Sequence, residues 1–137
     1  MKNLLRLEEF ALFLLAVLLF TELDYPWWAF LVLFLAPDLG AIGYLGGSRI
    51  GATTYNLTHH KGMAIAIYLA GTLAGVEVLQ LVGVIMLAHS SLDRVFGYGL
   101  KYTDSFDHTH LGWVGKTGRE MAAQGAEASA TGEADDY

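Results

Sequence analysis

LLRLEEFALFLLAVLLFTEL, residues 4–23, decides how the rest of the chain is read. After Glu9 it carries no charge until Glu22. A membrane span needs about 20 mostly apolar residues to cross a hydrocarbon core of about 30 Å. One such run at the N-terminus would fit a signal peptide, but three more follow. Pro26–Leu45 is the second, with Pro26 suited to a first helical position. Ser48–Ala70 is the third and Thr72–Gly97 the fourth, with breaks at Gly46-Gly47 and Gly71. Only a helix or a closed barrel satisfies its backbone in lipid. The expected fold is all-α, a four-helix transmembrane bundle running up and down over residues 1–115.

Composition agrees. Of 137 residues, 54% are hydrophobic and 16% charged, and mean hydropathy is +0.42. That charged share is low for a soluble domain. With no cysteine, a disulfide framework, a zinc–thiolate site and a thiol nucleophile are excluded. The net charge of −6 and the absence of a basic cluster exclude nucleic acid as a partner. From Lys116 onward Gly, Ala, Ser and Glu dominate, which predicts a disordered acidic tail over 116–137.

Basic residues set the orientation. Lys2 and Arg6 precede the first span, Arg49 sits between the second and third, and Arg94, Lys101, Lys116 and Arg119 end or follow the fourth. The opposite loops hold Glu22 and Asp24. Both termini are therefore expected on the cytoplasmic side, with Tyr25, Trp27 and Trp28 as the outer aromatic anchor. The stretch from Arg94 to Trp113 is too polar to span and is read as an interfacial segment.

Polar side chains inside a bilayer cost roughly 2.5–3.5 kcal/mol at mid-helix. At a rise of about 1.5 Å per residue, Glu8 and Asp93 lie about 6 Å from the cytoplasmic ends, Asp38 about 10 Å, Asn56 and His89 about 12 Å, and His59 about 16 Å. Four spans thus deliver polar groups to one slab of the inner half. His89 and Asp93 share a helix face, as do Tyr55 and His59. Pro37 removes a backbone donor and disturbs the carbonyl of Leu33, and a kink beside Asp38 is expected to open space and offer a carbonyl ligand.

Imidazole and carboxylate ligands suit zinc, iron or manganese, and helical bundles build metal sites from inward His, Asp and Glu. Asp38, His59 and His89 are the candidate ligands of a divalent metal. Glu8, Asp93 and His110 are candidate general acids and bases. Tyr55, Asn56, Arg94 and Lys101 are candidate substrate contacts, the last two for an anionic headgroup. A metal-dependent hydrolase of a lipid or lipid-linked ester is one reading. A binding or transport module for a proton, metal or small solute is another. A subunit whose polar groups only fix helix packing is the third. Gly71, Gly75 and the small residues before them form a stripe that suits close helix packing or a homo-oligomer.

The runs LLRLEE at 4–9, APDLGAIGYLGG at 36–47, YNLTHH at 55–60, H-x-x-x-DRxxGYGLKY from His89 to Tyr102 and THLG at 109–112 resemble those of domain of unknown function 4260, a family of small bacterial membrane proteins. The likeness runs from about residue 4 to 115. It implies a multi-pass protein of the bacterial inner membrane with no established activity. It directs attention to Glu8, Asp38, Tyr55, Asn56, His59, His89, Asp93, Arg94, Lys101 and His110.

Overall fold

A computed structural model describes residues 1–131 of the chain. It is mostly helical. The helices are α1 (Lys2–Thr21), α2 (Trp27–Leu33), a 3-10 helix (Ala36–Gly46), α3 (Ser48–Thr58), α4 (Lys61–Ala74), α5 (Glu77–Phe96) and α6 (Gly115–Thr131). Two short antiparallel strands, β1 (His108–Thr109) and β2 (Gly112–Trp113), lie between α5 and α6.

α5 is the central column. It packs against α1 on one side and α4 on the other, while α3 packs back along the 3-10 helix. The core between them is built from Ala16, Phe20, Phe30, Ala64, Val84 and Ala88. Phe20 and Phe30 meet edge to face with ring centroids 5.1 Å apart, a preferred aromatic geometry.

Two breaks differ from the expected ones. The turn between the last two long helices falls at Gly75, not at Gly71. Gly75 adopts φ +68°, and Val76 N–H returns to the Gly71 carbonyl, a left-handed C-cap that favours glycine. Gly71 instead lies inside α4, where a Cβ would stand 2.7 Å from Gln80 N. Its role is the internal α4–α5 contact. The expected third span, Ser48–Ala70, is two helices interrupted at His59-His60. α3 has a polar sequence, SRIGATTYNLT, and its threonines bond sideways: Thr54 Oγ1 donates to Gly40 O (2.6 Å) and Thr58 Oγ1 to Pro37 O (2.8 Å). Gly43 admits this close approach, because a Cβ there would collide with Thr54 Oγ1.

The second span also changes register. Pro37 has no N–H to donate. Beyond α2 the chain tightens to i→i−3 bonding, with Asp38 N–H on Leu35 O at 3.1 Å. That leaves the Phe34 carbonyl without a helical partner.

Trp27–Gly46 and Glu77–Phe96 are each long and apolar enough to cross a membrane. Large apolar side chains lie on the surface, and several polar ones lie beside the apolar core. Leu14, Leu18, Trp28, Leu31, Leu69 and Leu73 are exposed, whereas His59, His89, Ser90, Ser91 and Arg94 are buried.

The segment after α5 folds over one end of the bundle. Asn56 clamps it: Nδ2–H donates to Lys101 O (2.8 Å) and Oδ1 accepts from Lys101 N–H (2.6 Å). α6 occupies most of the stretch whose composition predicts disorder. Its alanines favour helix, and it touches little beyond β2. The rest of the expected tail, 132–137, lies outside the described residues.

Candidate metal centre

The register change at Pro37 has a direct consequence. The Phe34 carbonyl accepts a hydrogen bond from His89 Nδ1 at 2.7 Å. A carbonyl cannot donate, so Nδ1 of His89 carries a proton, and the neutral ring then has its lone pair on Nε2. His59, the C-cap of α3, is fixed in the same way. Its Nδ1–H reaches the Tyr55 carbonyl one turn back at 2.9 Å, and its ring stacks on Tyr55 with centroids 3.7 Å apart. Both imidazoles are buried, and neither Nε2 has a hydrogen-bond partner among the described residues.

Those two nitrogens face carboxylates. Asp38 Oδ1 lies 3.4 Å from His59 Nε2 and 3.3 Å from His89 Nε2. Asp93 Oδ2 lies 3.6 Å and 3.7 Å from the same pair. All exceed the usual N–H···O range of about 2.7–3.2 Å. The two Asp38 distances match the spacing of ligands around one ion, since tetrahedral bonds of about 2.0–2.1 Å place ligand atoms about 3.3–3.4 Å apart, and the two Asp93 distances are longer. Asp38, His59 and His89 can hold a metal ion with one ligand atom each, all within 4.8 Å of one another. Asp93 stands beside that set as a second carboxylate, and Tyr55 Oη donates to its Oδ2 at 3.3 Å.

Of the other expected site residues, Lys101 joins this side of the molecule. It is buried, with Nζ 4.0 Å from the Phe106 ring centroid and 5.2 Å from that of Tyr55. Burial lowers its pKa from the ordinary lysine value, while Asp107, Asp93 and Asp38 oppose the shift. Asn56 is engaged with the Lys101 backbone on both its amide atoms, so its observed role is to anchor the cap. Glu8 is exposed on α1 and is not in the cluster; its neighbour Glu9 points inward to an ion pair with Lys61. Arg94 and His110 face a separate cavity, not the Asp38–His59–His89 set. The helical period explains the first of these: Asp93 and Arg94 are successive residues of α5 and diverge by about 100°.

Sequence reasoning named the Leu33 carbonyl where the structure engages that of Phe34, and it missed the Phe106 ring. The proline three residues after Phe34 was the available signal for the first. Phe106 lies in a loop whose path no periodicity reveals.

The family model for a domain of unknown function, DUF4260, matches residues 2–114. The chain belongs to the DUF4260 family. The match takes in every member of the cluster and the whole cap, and ends just before α6. No curated protein and no solved structure matches this DUF4260 chain.

Proposed function

We propose that this DUF4260 protein is a multi-pass inner-membrane protein that holds a divalent metal at Asp38, His59 and His89 and uses it to hydrolyse a lipid or lipid-linked ester. The exposed apolar girdle supports the membrane part, since soluble monomers rarely expose contiguous apolar patches beyond a few hundred Å². In this reading α1, Trp27–Gly46, α3 followed by α4, and α5 make four passes. Both ends of the 1–115 region then lie on the cytoplasmic side, where Lys2, Arg6, Arg49 and Lys101 collect.

The observation that carries the metal reading is the pair of buried Nε2 atoms that face carboxylate oxygens 3.3–3.7 Å away, with no hydrogen-bond partner among the described residues. Four acceptors facing one another repel unless a cation sits among them. Two histidines and one carboxylate are a common set for zinc or non-haem iron, with positions left open for water and substrate. A metal there supplies a lowered pKa for bound water and Lewis acidity. Asp93 is placed to accept the proton of an attacking water and later return it to the leaving alcohol. Tyr55 holds Asp93 in place. Lys101, over two aromatic rings, offers positive charge to an anionic substrate group.

Metal content of tag-free protein, purified in mild detergent, tests this. Near-stoichiometric zinc, iron or manganese is expected in the wild type, and its loss in folded His59→Ala and His89→Ala variants. Metal-free wild type would overturn the reading. A transport role draws less support. Toward the opposite end, Glu77 is engaged with the Asp24 backbone N–H.

A further inference from the structure

A second polar site lies on the other side of α5. The start of α1, the start of α4, the end of α5 and the cap enclose a cavity of about 710 Å³. That volume is within the usual range for small-molecule sites, about 300–1,000 Å³. Lys2, Arg6, Lys61 and Arg94 line it against a single carboxylate, Glu9, whose Oε1 is paired with Lys61 and whose Oε2 is buried without a hydrogen-bond partner among the described residues. This cationic pocket occurs in a chain of net charge −6.

Arg94 marks the pocket as built. It is only 8% exposed, yet no carboxylate pairs with its guanidinium among the described residues. Its one hydrogen bond there is Nη1–H to the Tyr98 carbonyl, 2.7 Å. A guanidinium has five donors in a planar fork that matches phosphate oxygens. Glu9 and Asp93 act on the Arg94 charge from nearby, but neither forms an ion pair with it. His110 adds a neutral donor: its Nδ1 accepts from Leu100 N–H (2.8 Å), which leaves Nε2–H free. Leu5, Phe96 and Leu111 line the same cavity and are more than one-third exposed, so its mouth is apolar.

We infer that this cavity binds a phosphate-bearing anion through Arg94 and Arg6, with the apolar mouth receiving the chains of an anionic phospholipid. The inference does not depend on the metal centre. Native mass spectrometry of the full chain, delipidated in mild detergent, provides the test. Dioleoylphosphatidic acid is added against dioleoylphosphatidylcholine. One phosphatidic acid should be retained, at least tenfold more tightly than phosphatidylcholine. Arg94→Gln and Arg6→Gln should each weaken that retention tenfold or more, while Arg49→Gln, an exposed arginine outside the cavity, should not. Should Arg94→Gln lose its helical circular dichroism, Arg6→Gln decides, because Arg6 is exposed and carries no core packing. Displacement by millimolar inorganic phosphate would support the site with free phosphate as its ligand; no displacement would support a lipid headgroup. Equal retention in the wild type and Arg6→Gln, or an equal loss in Arg49→Gln, would overturn the inference. His59→Ala should leave retention unchanged, which separates this result from failure of the metal reading.

Discussion

Replacing Asp38 by asparagine should stabilise the metal-free protein while abolishing its response to metal. In the wild type, Asp38 Oδ1 is 3.4 Å from His59 Nε2 and 3.3 Å from His89 Nε2, and both nitrogens are buried acceptors. An asparagine amide at that point presents two N–H groups, one for each imidazole. An unsatisfied buried polar atom costs about 1–3 kcal/mol, so satisfying even one nitrogen recovers an amount of that order. Asp38 itself is 52% exposed, so the exchange sacrifices little ionic stabilisation. At about 3 °C per kcal/mol for a domain of this size, metal-free Asp38→Asn should melt about 3–9 °C above metal-free wild type. Zinc at one hundred times its dissociation constant adds about 2.7 kcal/mol to a protein that binds it only when folded. The wild type should then rise by about 8 °C and the variant by less than about 2 °C. Nanoscale differential scanning fluorimetry after chelation and zinc add-back reads both shifts. If the histidines were instead protonated partners of Asp38, losing the carboxylate charge would lower the melting temperature. A metal-free variant less stable than the metal-free wild type, or one still raised by zinc, refutes the argument.

Other expectations follow from the same contacts. Gly43→Ala drives a Cβ into Thr54 Oγ1 and should cost about 1–3 kcal/mol by overpacking; metal affinity should fall with it in a chelator competition, because Asp38 and His59 are carried by the two helices forced apart. Thr58→Val removes the hydroxyl donated to Pro37 O and should cost about 1 kcal/mol in melting experiments, with metal still bound. Asp104 titrates below the ordinary aspartate value, chiefly because of its hydrogen bond to His108. A depressed folded pKa stabilises above the unfolded pKa and loses that contribution as pH falls through the folded one, so cap protection in hydrogen exchange should weaken at acid pH in the wild type and not in Asp104→Asn. Tyr55→Phe should leave metal content intact and lower any ester hydrolysis, since it removes the hydroxyl that holds Asp93.

The sequence is informative about the site where the chemistry is expensive. Asp38, His59, His89 and Asp93 stand out because an apolar chain tolerates such groups only with partners, and their depths along three separate runs already fall in one slab. The i, i+4 relation of His89 and Asp93 places them on one face without further information. What does not follow from periodicity is the route of the backbone. The third apolar run, Ser48–Ala70, contains no proline; Gly51 lies well before the break, and Gly62 lies two residues after it, where a Cβ would meet the His60 ring. It is broken at His59 because α3 is held sideways by Thr54 and Thr58 to the 3-10 helix, a tertiary constraint. The turn at Gly75 rather than Gly71 is similar: both glycines suit a turn, and the packing of Gln80 and Leu79 against Gly71 selects between them. Glu8 was as plausible an inward residue as Glu9 until the packing of α1 against α5 fixed its rotation.

The proline in the second run ties these observations together. Pro37 forces the helix from i→i−4 to i→i−3 bonding, and the tightened register releases the Phe34 carbonyl. That carbonyl takes the Nδ1 proton of His89 and so turns Nε2 toward Asp38, the residue immediately after the proline. A helix without Pro37 would commit Phe34 O to the N–H of residue 38. His89 would then lack the partner that fixes its tautomer, and Asp38 would swing by the difference between about 100° and about 120° per residue. Pro37→Ala should therefore act on the metal and not on the fold. Helix propensity favours alanine over proline by about 3 kcal/mol, so melting temperature should hold or rise. Zinc affinity should drop about 10–100-fold, the usual cost of losing the partner that orients a ligating histidine. Unchanged zinc affinity in a Pro37→Ala protein of normal stability would show that the carbonyl of Phe34 does not set the histidine, and that the two Nε2 atoms converge for some other reason.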